Sequence, residues 1–132
     1  MAAPINNLLQ QQRHNIALIS YNMHGFNQGQ PALSNILQDN SADIVMLQEH
    51  WLTRANLNKF DALSANYFTY GSTAMSKTVE TKMLVGRQFG SVMFMINNNL
   101  RSITEFICSA DHYAIIRVAD WIFVNVYLPC KL

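Results

Sequence analysis

Charge is scarce in this chain. Only 13% of its 132 residues are charged, against 50% hydrophobic, and the formal net charge is +1. No basic field advertises nucleic acid, so any such contact has to come from a local patch. Cysteine is nearly absent: Cys108 and Cys130 are too few for a disulfide framework. Both read as free thiols of a reducing compartment. No apolar run approaches the ~20 residues of a membrane span, so no membrane partner is expected. The stretch from Met1 to Arg13 is rich in Gln and Asn, with only Leu8 and Leu9 adjacent. It has no signal-peptide core, and residues 1–15 read as a disordered or loosely docked leader. The length suits one domain or part of one.

What is there is organised around Ala42 to Trp51. Ile44, Val45, Met46 and Leu47 form a continuous apolar run, as in a strand covered on both faces. Polarity then returns abruptly with Gln48, Glu49 and His50. In open α/β sheets ligands bind beyond the carboxyl ends of the strands, and Glu49 stands at such an end.

Upstream, Ile16 to Asn22 reads as a first strand, and Gly25 and Gly29 mark Phe26 to Gln30 as a loop. Pro31 suits a first helical position, and Ala32, Leu33, Ile36 and Leu37 recur at helical spacing, predicting an amphipathic helix over Pro31 to Gln38. Strand, crossover helix and strand make a parallel, right-handed βαβ unit. That unit brings Asn22 and Glu49 to one sheet edge.

Downstream, Thr53 is a candidate cap for a second helix through Asn56, Leu57, Phe60 and Leu63, and Tyr67 to Tyr70 is β-prone. Gly71 to Val85 has no period and reads as an exposed loop. Strands are expected at Ser91 to Ile96, Ser102 to Cys108, Tyr113 to Val118 and Trp121 to Leu128, with turns at Asn97 to Asn99 and at Ala119-Asp120. The order is βαβα followed by a β-meander.

Four polar features sit at strand ends or beside glycines: Asn22, Glu49, Arg87 and Tyr127. A carboxylate beside an amide suits a hard cation, because magnesium prefers oxygen ligands and keeps several waters. A nearby Arg or Tyr can donate to a phosphate oxygen. Each also has a plainer explanation. Asn22 can cap a loop, Glu49 can be solvated, Arg87 can be an exposed loop residue, Tyr127 can pack in a core, and Asn125 can face solvent. His24 and His50 are more often surface or hydrogen-bonded residues than ligands. Asp111 and His112 are read as strand neighbours pointing to opposite faces, which excludes a catalytic pair.

In this order the segments resemble the front half of the endonuclease/exonuclease/phosphatase superfamily. They are most similar to the apurinic/apyrimidinic-endonuclease-like domain of LINE-type (non-LTR) retrotransposons. The resemblance is carried by Ile19-Ser-Tyr-Asn22-Met-His-Gly25, Ala42-Asp-Ile-Val-Met-Leu-Gln48-Glu49, Gly86-Arg-Gln-Phe-Gly90 and Val124-Asn-Val-Tyr127-Leu-Pro129. It implies an incomplete four-layer α/β sandwich of the DNase type over residues 16–132, as a truncated domain. It implies Glu49 as principal Mg²⁺ ligand, with Mn²⁺ as substitute, and Asn22 as the amide that completes and shapes the metal site. Tyr127 would line the scissile phosphate, and Arg87 would bind substrate. A water would attack the phosphorus while the metal stabilises the developing charge.

The chain departs from the family pattern at four points. Cys130 stands where the family has Asn, His24 where an acid is common, and Ser91 where a second glycine is expected. The later Gly-Asp-x-Asn and Ser-Asp-His motifs are missing.

The expectation is therefore a metal-dependent phosphodiesterase by descent, a DNA endonuclease of a retroelement, present as a fragment with little or no activity alone. Its partner would be DNA. Its compartment would be intracellular, and nuclear for a retroelement enzyme. An uncovered apolar sheet would favour self-association. Two alternatives are a non-catalytic remnant that binds nucleic acid or protein, and an inositol-phosphate or sphingolipid phosphoesterase of the same superfamily.

Overall fold

A computed structural model describes residues 16–73 and 91–128. Its elements run in the order β1 (Leu18–Asn22), α1 (Phe26–Gln38), β2 (Ile44–Gln48), a 3-10 segment (Arg54–Lys59), β3 (Tyr67–Ser72), β4 (Val92–Asn97), a second 3-10 segment (Asn98–Ile103), β5 (Thr104–Ala110), β6 (Tyr113–Val118) and β7 (Trp121–Val126). The strands divide into two sheets, β1-β2-β4-β3 and β5-β6-β7. The meander expected of the later strands is thus confined to the last three, because β3 and β4 join the first sheet. The architecture is a mixed α/β fold of two sheets.

β1 and β2 run parallel with Asn22 opposite Gln48, and β4 returns antiparallel between β2 and β3. The residues of β4 explain its central place. All six are buried, and the five apolar ones alternate between two cores. Met93 and Met95 join Val45 and Leu47 of β2 against Phe26, Leu33 and Leu37 of α1. Val92, Phe94 and Ile96 join Ile44 and Phe68 against Ala114, Ile116 and Val118 of the second sheet. A strand with apolar side chains on both faces has to be covered twice.

The helix corrects the sequence reading. It begins at Phe26, so residues 26–30 are helical rather than a loop, and Pro31 lies inside it. Gly25, at φ 95°, makes the turn. Gly29 is helical and serves a contact instead: a Cβ there would stand 2.7 Å from the Cβ and the carbonyl oxygen of Met23. Its small size lets the helix settle onto the end of β1.

The segment after Thr53 forms a 3-10 helix, with no side-chain cap bond from Thr53. The Asn97 turn leads into a second 3-10 helix, in which the Asn97 side chain accepts from the Asn99 N–H at 3.0 Å. Asp111 and His112 form the turn between β5 and β6 rather than strand positions. No helix among the described residues is long and apolar enough to cross a membrane. The expected leader (residues 1–15), Arg87 and Cys130 lie outside the described residues.

Candidate active site

The parallel pairing of β1 and β2 extends past both strand ends as a backbone braid. The N–H groups of Met23, Gly25 and Phe26 donate to the carbonyls of Gln48, Glu49 and His50, each at 2.8 Å. The Glu49 N–H donates in turn to the Ser91 carbonyl, also at 2.8 Å. The backbone that carries Glu49 is therefore clamped from β1 on one side and from the start of β4 on the other.

Within that braid Glu49, Trp51 and His24 adopt φ values of 54°, 59° and 50°. For residues with a Cβ this left-handed conformation costs on the order of 1 kcal/mol or more, and it persists only where the surroundings impose it. Such outliers cluster at functional sites.

Asn22 and Glu49 meet. The Asn22 Nδ2 donates to Glu49 Oε2 at 2.6 Å, a short bond of the charge-assisted kind. The Asn22 Oδ1 is occupied by the His24 backbone N–H at 2.9 Å. With its oxygen held by its own loop, Asn22 presents its amide hydrogens to the acid and fixes the carboxylate rotamer. Glu49 is 8% exposed, so it is packed yet still reaches solvent. Among the described residues no three His, Cys, Asp or Glu side chains converge on one point. One carboxylate with open coordination suits magnesium, which retains water ligands, and Glu49 fits that role.

His50 is fully buried, with both ring nitrogens engaged. Its Nδ1 accepts from the Leu52 N–H at 3.0 Å, which leaves Nε2–H to donate to the Ser72 carbonyl at 2.9 Å. Burial lowers its pKa from 6.5 to about 4, against smaller opposing effects from the Ser72 and Val92 backbone. The ring is neutral at pH 7 and ties the Glu49 loop to β3. His24 is exposed and tilts over Trp51, with ring centroids 5.1 Å apart.

Tyr127 follows β7, is half-buried against the inter-sheet core, and donates its backbone N–H to the His112 carbonyl at 2.8 Å. β7 runs toward the same sheet end as Glu49, because Asn125 meets Gln48. Asn125 is a correction: it is buried between the sheets instead of facing solvent. Its Nδ2 donates to the carbonyls of Leu47 (3.1 Å) and Met93 (3.0 Å), and its Oδ1 accepts from Gln48 Nε2 (2.9 Å). An amide inserted there joins β7 to β2 and β4 one residue before Glu49. Period two was the available signal, since Phe123, Asn125 and Tyr127 alternate with exposed Ile122, Val124 and Val126.

No protein-family model matches the chain, and no curated protein matches it in sequence. Solved structures do share its fold. An AP endonuclease from Leishmania major matches with a TM-score of 0.63 at 12% identity, over 86% of this chain and 40% of that one. A 3′ phosphatase from Neisseria, bound to a product DNA hairpin, matches with a TM-score of 0.57 at 17% identity, over 83% of this chain and 40% of that one. A 3′–5′ exonuclease from Neisseria meningitidis gives 0.56 at 17%, with the same coverage. The chain therefore carries the two-sheet fold of these AP endonucleases and exonucleases, and spans about 40% of their length.

Proposed function

We propose that Glu49, held by Asn22, is the cation-binding half of a phosphodiester-hydrolysing site. The observation that carries this reading is the 2.6 Å bond from Asn22 to a carboxylate set on a clamped, left-handed strand end. Glu49 would hold Mg²⁺ or Mn²⁺, and Asn22 would orient it rather than ligate the ion. The cation supplies charge stabilisation to the phosphoryl oxygens and a polarised water. Tyr127 would approach the phosphate from the end of β7, and Arg87 would bind substrate.

DNA is the substrate class favoured by the retroelement-like motifs, and the DNA-bound neighbour supports it. The reading extends to residues 16–132 as one unit, preceded by a leader. Turnover by the chain alone is expected to be slow, since Glu49 belongs to no group of three His, Cys, Asp or Glu side chains among the described residues. A general acid–base group commonly supplies about 10²–10⁴-fold. The apolar outer face of β7, with Ile122, Val124 and Val126 exposed, supports self-association.

The test is Mg²⁺-dependent nicking of supercoiled plasmid and of abasic duplex. Slow nicking that EDTA and Glu49→Gln both abolish is expected. Nicking that survives Glu49→Gln would remove Glu49 from the site. Robust turnover would overturn the low-activity reading. DNA binding indifferent to Mg²⁺ and to Glu49→Gln, with no nicking, would favour the non-catalytic remnant.

A further inference from the structure

Beside the Asn22–Glu49 pair lies a cavity of about 360 Å³, lined by His24, Gly25, Phe26, Trp51, Leu52 and Lys59 among others. That is within the range of about 300–1,000 Å³ typical of small-molecule sites. Two of its walls are chained to the pair itself: His24 is two residues beyond Asn22, and Trp51 two beyond Glu49. The phosphodiester reading does not use it.

Its walls have a consistent chemistry. Trp51 and His24 supply two aromatic rings, inclined at 58°. Phe26 and Leu52 are buried and apolar, and the amide side chains of Asn27 and Gln28 with the Lys59 ammonium complete the lining. The indole is fixed in place. A Cβ at Gly25 would stand 2.7 Å from Trp51 Cε3 and 2.8 Å from Cζ3, so the ring rests directly on the glycine backbone. Trp51 and His24 both hold left-handed backbone angles, at φ 59° and 50°. The Trp51 Nε1 is buried and has no hydrogen-bond partner among the described residues. Its burial keeps that N–H away from the cavity, so Trp51 offers ring surface there and no hydrogen bond.

We infer that this cavity is a subsite for an unpaired nucleobase next to the scissile phosphate, with the free ring surface of the touching Trp51–His24 pair as its one aromatic wall. Every base offers a π-face for stacking and edge acceptors for the Asn27 and Gln28 amides and Lys59. A bare phosphate would use neither ring. The chain would thereby favour single-stranded or locally opened substrate over intact duplex. This rests on the reading of the Asn22–Glu49 pair as phosphate-facing, and it adds the group recognised beside it.

The test uses the whole chain carrying Trp121→Phe, so that Trp51 is its only tryptophan. EDTA is present throughout to exclude cleavage. Trp51 fluorescence is titrated with a short oligothymidylate and with an abasic deoxyribose-phosphate strand of equal length. The expected result is saturable quenching by the base-bearing strand, with binding of the abasic strand weaker by about tenfold, the order that stacking of one base supplies. His24→Ala, at an exposed position, should weaken binding of the base-bearing strand several-fold. Gly25→Ala, which displaces the indole, should do the same; circular dichroism confirms that both variants are folded. Equal affinity for the two strands, or no quenching by either, would overturn the proposal. Glu49→Gln should leave base binding intact. A base-binding chain that never cleaves would thus fail the hydrolytic reading alone.

Discussion

The two sheets of this chain are covered to different extents. In the first, β4 is buried at all six positions, with α1 on one face and the second sheet on the other. In the second, β7 has a single buried residue, the polar Asn125, while Ile122, Val124 and Val126 on its outer face are 45–50% exposed. The site residues Asn22 and Glu49 lie at strand ends of the first sheet, whose centre at β2 and β4 is covered on both faces while its edge strand β1 is partly exposed. The difference explains how a carboxylate can be held rigidly in a chain whose second sheet is covered on one side only. Precision at Glu49 comes from β1, β2 and β4, and the outer face of β7 is not needed for it.

The largest effect should come from breaking the shared layer. Phe94 is fully buried between the sheets. Phe94→Ala should cost about 3–5 kcal/mol, read as a drop in the urea midpoint. The next comes from acid. His50 has a pKa of about 4 in the fold against its ordinary 6.5. Between those values the unfolded chain binds more protons, so stability rises with pH through that window. It is fully present above about 6.5 and is lost as the pH falls toward 4. The loss should reach about 3 kcal/mol by chemical denaturation. Replacing His50 with Gln should flatten that slope.

Asn125→Ala removes the polar link between the sheets and leaves Gln48 with one acceptor fewer; about 2 kcal/mol is expected, again from the urea midpoint. The smallest effect is on the outer face. Val124→Lys should change stability by no more than about 0.5 kcal/mol. It should nevertheless lower any self-association measured by sedimentation. A large destabilisation there would show that the outer face is covered after all, and would break the comparison between the sheets.

Much of the site was legible because its signals are local. The apolar run Ile44 to Leu47 ending in Gln48-Glu49 names a buried strand with an acid at its tip, and the βαβ rule puts Asn22 beside it. Helix α1 was misplaced at its start because Gly25 and Gly29 look alike in sequence. One turns the chain, and the other admits Met23 at close range. The role of Asn125 was hidden for a different reason. Its three partners Leu47, Gln48 and Met93 are remote in sequence, and which face of β7 turns inward depends on where the second sheet docks. The sheet to which β3 belongs was equally hidden, because it crosses to the far side of β4.

The central claim is that Asn22 holds Glu49 as the anchor of a divalent cation. It is tested most directly by Mn²⁺ titration of the isotopically labelled chain, followed by paramagnetic broadening of its amide signals. Broadening centred on Asn22, Glu49 and Ser91, lost in Glu49→Gln and weakened in Asn22→Ala, is the predicted result. Broadening centred elsewhere, or unchanged in Glu49→Gln, would contradict it.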